Sequence, residues 1–348
     1  MNALGPSIPK DPEERRRFFF ELLRVDQDRK ECRRAKLAEI VKNVPVPDDA
    51  LAEIAWGWSD LLRHHPGFEV EEKIRALSAM VKVFRQTYSD LIAQLDRFHT
   101  FSSSGHFGRK TGRHELLAIE TAVDKELMAF STAAMSLVDH VRAVRTSIPV
   151  AELDARRTES FDPEEHGFIT GLRNMISHGH FPDLSWHLQY RKTRVSDFIL
   201  FSERLLQTKN IGQDARRFIA KCGERVQIRA VADSYSSKVR AFYDWYLPAL
   251  EINATPALLD YRRCKKVCVQ TSSRAWHRAM VHHLIQWKVD PYAHLDKYLT
   301  SDEIEAALRL PMRSREQVDY IIAAVDEHKA CDDELRSMVY KLFQVGEQ

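Results

Sequence analysis

The sequence predicts an all-α protein, on three observations. Only 12 Gly and 13 Pro occur in 348 residues. Long segments place apolar residues three and four apart, the period of a helix face and not the alternation of a strand. Several of these segments open on an Asp-Pro pair or an acid and close at Gly or Pro, the residues that start and stop helices.

Taken in order, Asp11-Pro12-Glu13-Glu14 offers an N-cap, a first-turn proline and two acids that suit the positive end of a helix dipole. That helix is expected to run to about Asn43, where "VPVP" stops it. Asp48 caps a second helix through Leu62. From Glu69 to about Phe98, Ile74, Leu77, Val81, Phe84, Tyr88, Leu91, Ile92 and Leu95 recur at helical spacing and predict a long third helix. "SSSGHFGRKTGR", residues 102–113, has no period and reads as a flexible linker at a domain boundary. A long helix follows over about 114 to 145, with Leu127, Phe130, Ala134, Leu137, Val138, Val141 and Val144 facing inward. Pro149 and "AELDARRTES" end it as a polar connection.

Asp162-Pro163-Glu164-Glu165 repeats the opening device with an acid at the capping-box position, and Gly179 with Pro182 supplies the stop, so 163–178 is one helix. "WHLQYRK" and "DFILF" are β-prone around a polar turn and leave room for one small β-hairpin. Helices resume at about 202–206, 212–222 and 226–250, and a further helical region runs from Asn253-Pro256 to the end. The organisation read from this is an N-terminal helical region 1–101, the linker 102–113, a helical bundle 114–250 and a C-terminal helical region 251–348. No fixed-period repeat is visible.

Composition narrows the function. Lys and Arg number 52 against 50 Asp and Glu, a formal charge of +2, so no global field announces a nucleic-acid or membrane partner and any polyanion site is local. The five cysteines are odd in number, and Cys264 and Cys268 are spaced for one helix face and not for a zinc knuckle. The first residues carry an apolar run too short for export or spanning. The expectation is a cytoplasmic protein with no membrane partner. There is no GxxxxGK[ST] or GxGxxG phosphate cradle. His282 with His283, and His64 with His65, are adjacent on a helix and cannot face one metal, so neither a metal site nor a cofactor is expected. Ser177 and His178 diverge by about 100° and do not make a nucleophile and base.

The chemistry concentrates in "GFITGLRNMISHGHFP", residues 167–182. Asn174 and His178 are one turn apart, so the amide can orient the imidazole. Arg173 stands about 140° around the helix from His178 and meets it by curling back, or meets the histidine of a second copy. Such a set suits metal-independent phosphodiester cleavage in RNA: an imidazole with an ordinary pKa near 6.5 relays the 2′-hydroxyl proton, and a planar guanidinium matches the phosphate oxygens.

"RNMISH" resembles the R-x4-6-H motif, with a polar residue directly after the arginine, of ribonuclease-competent HEPN domains (higher eukaryotes and prokaryotes nucleotide-binding). "AFSTAAMSLVDHVR" resembles the long helix beside the motif helix in that family, and the likeness covers roughly residues 114–250. The resemblance implies an α-helical bundle that dimerises along the motif helix, a metal-independent endoribonuclease activity, and a toxin, abortive-infection or phage-defence role in which a protein antitoxin or regulator is a partner. Carried over, Arg173, Asn174 and His178 are the catalytic set.

Other R-x4-6-H matches are weaker. Arg109 with His114 straddles the linker, Arg278 with His283 has alanine after the arginine, and His180 lies past the Gly179 stop. His140, Arg142 and Arg145, with Trp186 and Tyr190 for stacking, are candidate RNA contacts, as is the basic run "RRCKK" at 262–266. The competing reading for all of these is solvated helix surface, and for Arg173 and His178 a helix end that holds a dimer together. The alternative function is therefore a non-catalytic HEPN-like dimerisation or adaptor protein, or an RNA-binding one.

Overall fold

The computed structural model describes residues 11–42, 44–52, 58–178, 182–190, 194–208 and 211–346. Among these the fold is mostly helical, as its sequence predicts, with one three-stranded antiparallel sheet. No helix is long and apolar enough to cross a membrane.

The chain forms two compact units, one of Met1–Phe68 with Pro256–Gln348 and the other of Glu69–Thr255. The boundary expected at 102–113 is not there. Those residues lie inside the second unit as a tight connection, in which Phe107 packs edge-on to Phe98, Phe101 and Trp186 at ring-centroid distances of 6.3, 5.8 and 5.3 Å. Glycine and serine content predicted a linker, and one half-buried aromatic anchor makes a turn of it.

In the first unit, α1 (Pro12–Ile40) starts on the expected cap, with Asp11 accepting from the Glu13 and Glu14 amides. Among its described side chains the buried positions, Leu37 and the following Val41, come at its end. α2 (Asp48–Ala52) and α3 (Trp58–His64) fall at the two ends of the helix expected over 48–62, and 53–57 lie outside the described residues. They pack on α11 (Pro256–Gln286), where Cys264 and Cys268 share one buried face with Tyr261, Leu61 and Leu62. A second core gathers Val281, Leu295 and Leu299 with α12 (Ser301–Leu308), α13 (Arg315–Val325) and α14 (Asp333–Leu342). A full capping box, Thr300 with Glu303, opens α12.

The second unit is built on α4 (Phe68–Ser102) and α5 (Arg113–Arg145), 35 and 33 residues long. They lie antiparallel, with Lys73 against Ser147 at one end and Phe84 on Phe130 further along. α6 (Leu153–Ser160) occupies the segment read as a polar connection. Leu153 is its one buried residue, so it shows no apolar period for a sequence to display. α7 (Pro163–Ser177), the small α8 (Ser202–Gln207), α9 (Gln213–Lys221) and α10 (Ile228–Ile252) complete the helices.

Strands β1 (Leu184–Tyr190) and β2 (Arg194–Phe201) form the hairpin the sequence left room for, with Trp186 opposite Phe198. A third strand, β3 (Arg225–Gln227), adds to β2 and was not foreseen. At three residues abutting a helix it is too short to carry an alternation.

Candidate active site

α7 is set by its two ends and its buried face. Asp162 accepts from the Glu164 amide at 2.9 Å and Pro163 follows it. Glu165 stands at the capping-box position, but its carboxylate takes the Lys238 ammonium at 2.6 Å instead of closing the box. At the other end His178 is the C-cap, its amide donating to the Asn174 and Met175 carbonyls at 3.1 and 3.2 Å. Gly179 and His180 lie outside the described residues, so the expected stop is not described.

Phe168, Ile169, Leu172, Met175 and Ile176 form the apolar face. α9 approaches α7 closely because Gly167 and Gly171 face it. A Cβ on Gly167 would stand 2.7 Å from the Asp214 Cβ, whereas one on Gly171 would meet the Ala215 Cβ at 3.5 Å. One turn of small residues thus sets the helix separation, and Phe168 stacks on Phe218 at 5.1 Å beside it. Sequence reasoning missed this; two glycines four apart inside an apolar helix were the available signal.

With the apolar face turned inward, Arg173 and His178 are exposed and Asn174 is half-buried. The structure brings Arg173 and Asn174 together: the guanidinium donates to Asn174 Oδ1 at 3.1 Å. The Asn174 amide expected to orient the imidazole thus accepts from the arginine through its oxygen.

The other predicted RNA contacts do not join this set. α7 runs antiparallel to α5, since Thr170 meets Met135 at 3.2 Å while the Arg142 charge acts on His166. Arg142 and Arg145 thus stand near the start of α7, about 18 Å along its axis from His178 at 1.5 Å per residue. Within one subunit that distance keeps them from the phosphate that His178 would face. His140 engages the Ser136 carbonyl of its own helix through Nδ1 at 2.7 Å. Trp186 is on β1, 41% exposed, with its ring against Phe98 and Phe107. The Tyr190 side chain lies outside the described residues. Of the rival motif pairs, Arg278 is bound to Glu334 and His283 stacks on Trp287. In "RRCKK", Arg263 is spent on Asp260, Asp48 and the Val46 carbonyl.

His65, Asp260 and Cys264 are buried with ligand atoms within 4.8 Å of one another. The donor set resembles a metal site, but its lone pairs are in use. His65 Nδ1 accepts from the Gly67 amide at 3.0 Å, which puts the imidazole proton on Nε2, facing Asp260 at 3.1 Å. Asp260 also accepts from the Val46 amide at 2.8 Å and from Arg263 Nε at 3.0 Å. Burial acts most strongly on Asp260 and upward, yet these bonds and the Arg263 charge together hold its carboxyl below the ordinary value. An ion there would displace the Gly67 donor and face a guanidinium, so the residues fit a hydrogen-bonded clamp and not a metal. Sequence reasoning weighed His65 only beside His64 and set that pair aside; its partner is 195 positions away.

Comparison with protein-family models, with curated proteins and with solved structures found no match to this chain.

Proposed function

We propose that the protein is a metal-independent endoribonuclease of HEPN type, working as a homodimer through α7. The observation that carries this is the placement of Arg173 and His178. The only helix that combines the R-x4-6-H spacing with a polar residue after the arginine turns both groups outward at its C-terminal end. An RNA phosphate reaches them there without opening the core.

In this reading His178 takes the 2′-hydroxyl proton of the RNA, and the freed 2′-oxygen attacks the adjacent phosphorus. The bond to the 5′-oxygen breaks as that oxygen receives a proton from His178 of the partner subunit. The products are a 2′,3′-cyclic phosphate and a 5′-hydroxyl. Arg173 stabilises the charge that builds on the non-bridging oxygens, and its bond to Asn174 holds the guanidinium beside the helix end. The cellular role we attach to this activity is a toxin or phage-defence nuclease held in check by a protein regulator.

The test is cleavage of a single-stranded RNA in EDTA by the wild type, Arg173→Ala and His178→Ala. Loss of a positioned acid or base lowers the rate about 10²- to 10⁴-fold, so both variants are expected to be nearly silent. No wild-type cleavage, or equal cleavage by all three, defeats the proposal. The second reading is a dimer contact without chemistry. That reading requires the two variants to fall to monomers in sedimentation.

A further inference from the structure

The helices α5, α6, α7 and α10 enclose a cavity of about 300 Å³, at the opposite end of α7 from His178. This is the small end of the range of small-molecule sites. Its walls are apolar, and Phe161, Tyr235 and Phe242 form a ring cluster within it, with Phe161 at 5.8 and 5.4 Å from the other two. Its mouth is cationic, carrying Arg142, Arg145 and Arg157 with the half-buried His166.

The charges at the mouth do not cancel. Asp154 is shared by Arg145 at 3.5 Å and Arg157 at 3.4 Å, and Asp139 takes Arg142 at 3.2 Å. Three guanidiniums face two carboxylates, and the nearby Glu165 is neutralised by Lys238 at 2.6 Å. The surplus is one positive charge. Burial, and then the fields of Arg157 and Arg142, hold His166 below its ordinary pKa. The phenol of Tyr235, pushed well above its ordinary range by burial, lies 2.9 Å from His166 Nδ1. The phenol and Nδ1 share one hydrogen bond; with the phenol as its donor, the neutral imidazole carries its N–H on Nε2.

We propose that this cavity binds a small aromatic monocarboxylate, its ring among Phe161, Tyr235 and Phe242 and its carboxylate at Arg142, Arg157 and His166. The unmatched single charge selects a monoanion over a neutral or doubly charged ligand. The ring cluster selects a flat apolar body, which can pack against Phe161 as Phe242 does edge-on and Tyr235 does at a tilt. Nothing in this depends on the ribonuclease reading, since neither Arg173 nor His178 takes part.

The experiment is isothermal titration of the full chain at neutral pH with sodium phenylacetate, neutral phenylacetamide and phenyl phosphate, repeated with an Arg142→Ala, Arg157→Ala double variant. Both arginines are exposed, at 71% and 57% of the side chain, so the variant keeps the fold, and far-UV circular dichroism checks it. Phenylacetate is expected to bind at least about tenfold more tightly than the amide and than phenyl phosphate, an advantage that charge-assisted hydrogen bonds supply. The double variant is expected to lose that advantage while its amide affinity stays unchanged. Absence of phenylacetate binding, equal affinity for acid and amide, tighter binding of the dianion, or an unaffected double variant would each overturn the assignment.

Discussion

Gly167 and Gly171 occupy the same face of the motif helix one turn apart, yet the same substitution should act on them with opposite sign. Replacing a helix-interior glycine by alanine stabilises by about 1 kcal/mol, because the unfolded chain loses less freedom on folding. At Gly171 the new methyl meets the Ala215 Cβ at an ordinary 3.5 Å, so that gain survives. At Gly167 it would stand 2.7 Å from the Asp214 Cβ and 3.1 Å from the Ala215 amide nitrogen. Neither atom is the free end of a side chain, so α9 must move as a body. Overpacking of this kind costs about 1–3 kcal/mol, and a contact this short lies in the upper half. The net for Gly167→Ala is a loss of about 1–2 kcal/mol, against a gain of about 1 kcal/mol for Gly171→Ala. For a unit of this size each kcal/mol moves the melting temperature by about 2–4 °C, which separates the two variants by roughly 5–10 °C. Thermal melts of the full chain followed by circular dichroism read this directly. A Gly167→Ala protein that melts at or above Gly171→Ala would refute the close approach of α7 and α9.

Burial, only partly offset by the Phe198 amide and Arg229, pushes the Asp197 carboxyl up to about 6. An acid whose folded pKa is raised holds more protons folded than unfolded, so stability falls as pH rises from about 4 to about 6. Asp197→Asn should therefore raise the urea midpoint at pH 7.5 and leave it little changed at pH 4, with a difference of about 1–2 kcal/mol; equal shifts at both values would show the carboxylate is not penalised. Asp260 behaves oppositely, since its depressed folded pKa gives stability above about pH 4 that is lost as pH falls through the folded value. Asp260→Ala strands the Val46 amide, His65 and Arg263, and should cost about 3 kcal/mol at pH 7. Urea titration checks it, and a loss under about 1 kcal/mol would remove Asp260 as the centre of the clamp.

The helical class and the long helices α4, α5, α7 and α10 were legible because each buries a continuous stripe, and burial at helical spacing leaves a period in the sequence. Ends marked by a side chain, such as Asp11 and Asp162, were legible for the same local reason. What was not legible depends on distance along the chain. Phe107 turns a presumed linker into a packed connection through Phe98, Phe101 and Trp186. His65 finds Asp260 and β3 finds β2, and neither pairing shows in a local window. At the candidate site, spacing located Arg173, Asn174 and His178, but the choice of partner for the Asn174 amide was settled by side-chain geometry.

The antiparallel pairing of α4 with α5 bears on how the second unit assembles. Their shared connection puts the first contacts only a few residues apart in sequence, and each further turn of pairing closes a loop barely longer than the one before. The entropy of closure thus grows in small steps, as in a zipper, and low contact order of this sort goes with fast folding. The turn around Phe107 is then where assembly begins, and the far tips at Lys73 and Ser147 are where it ends.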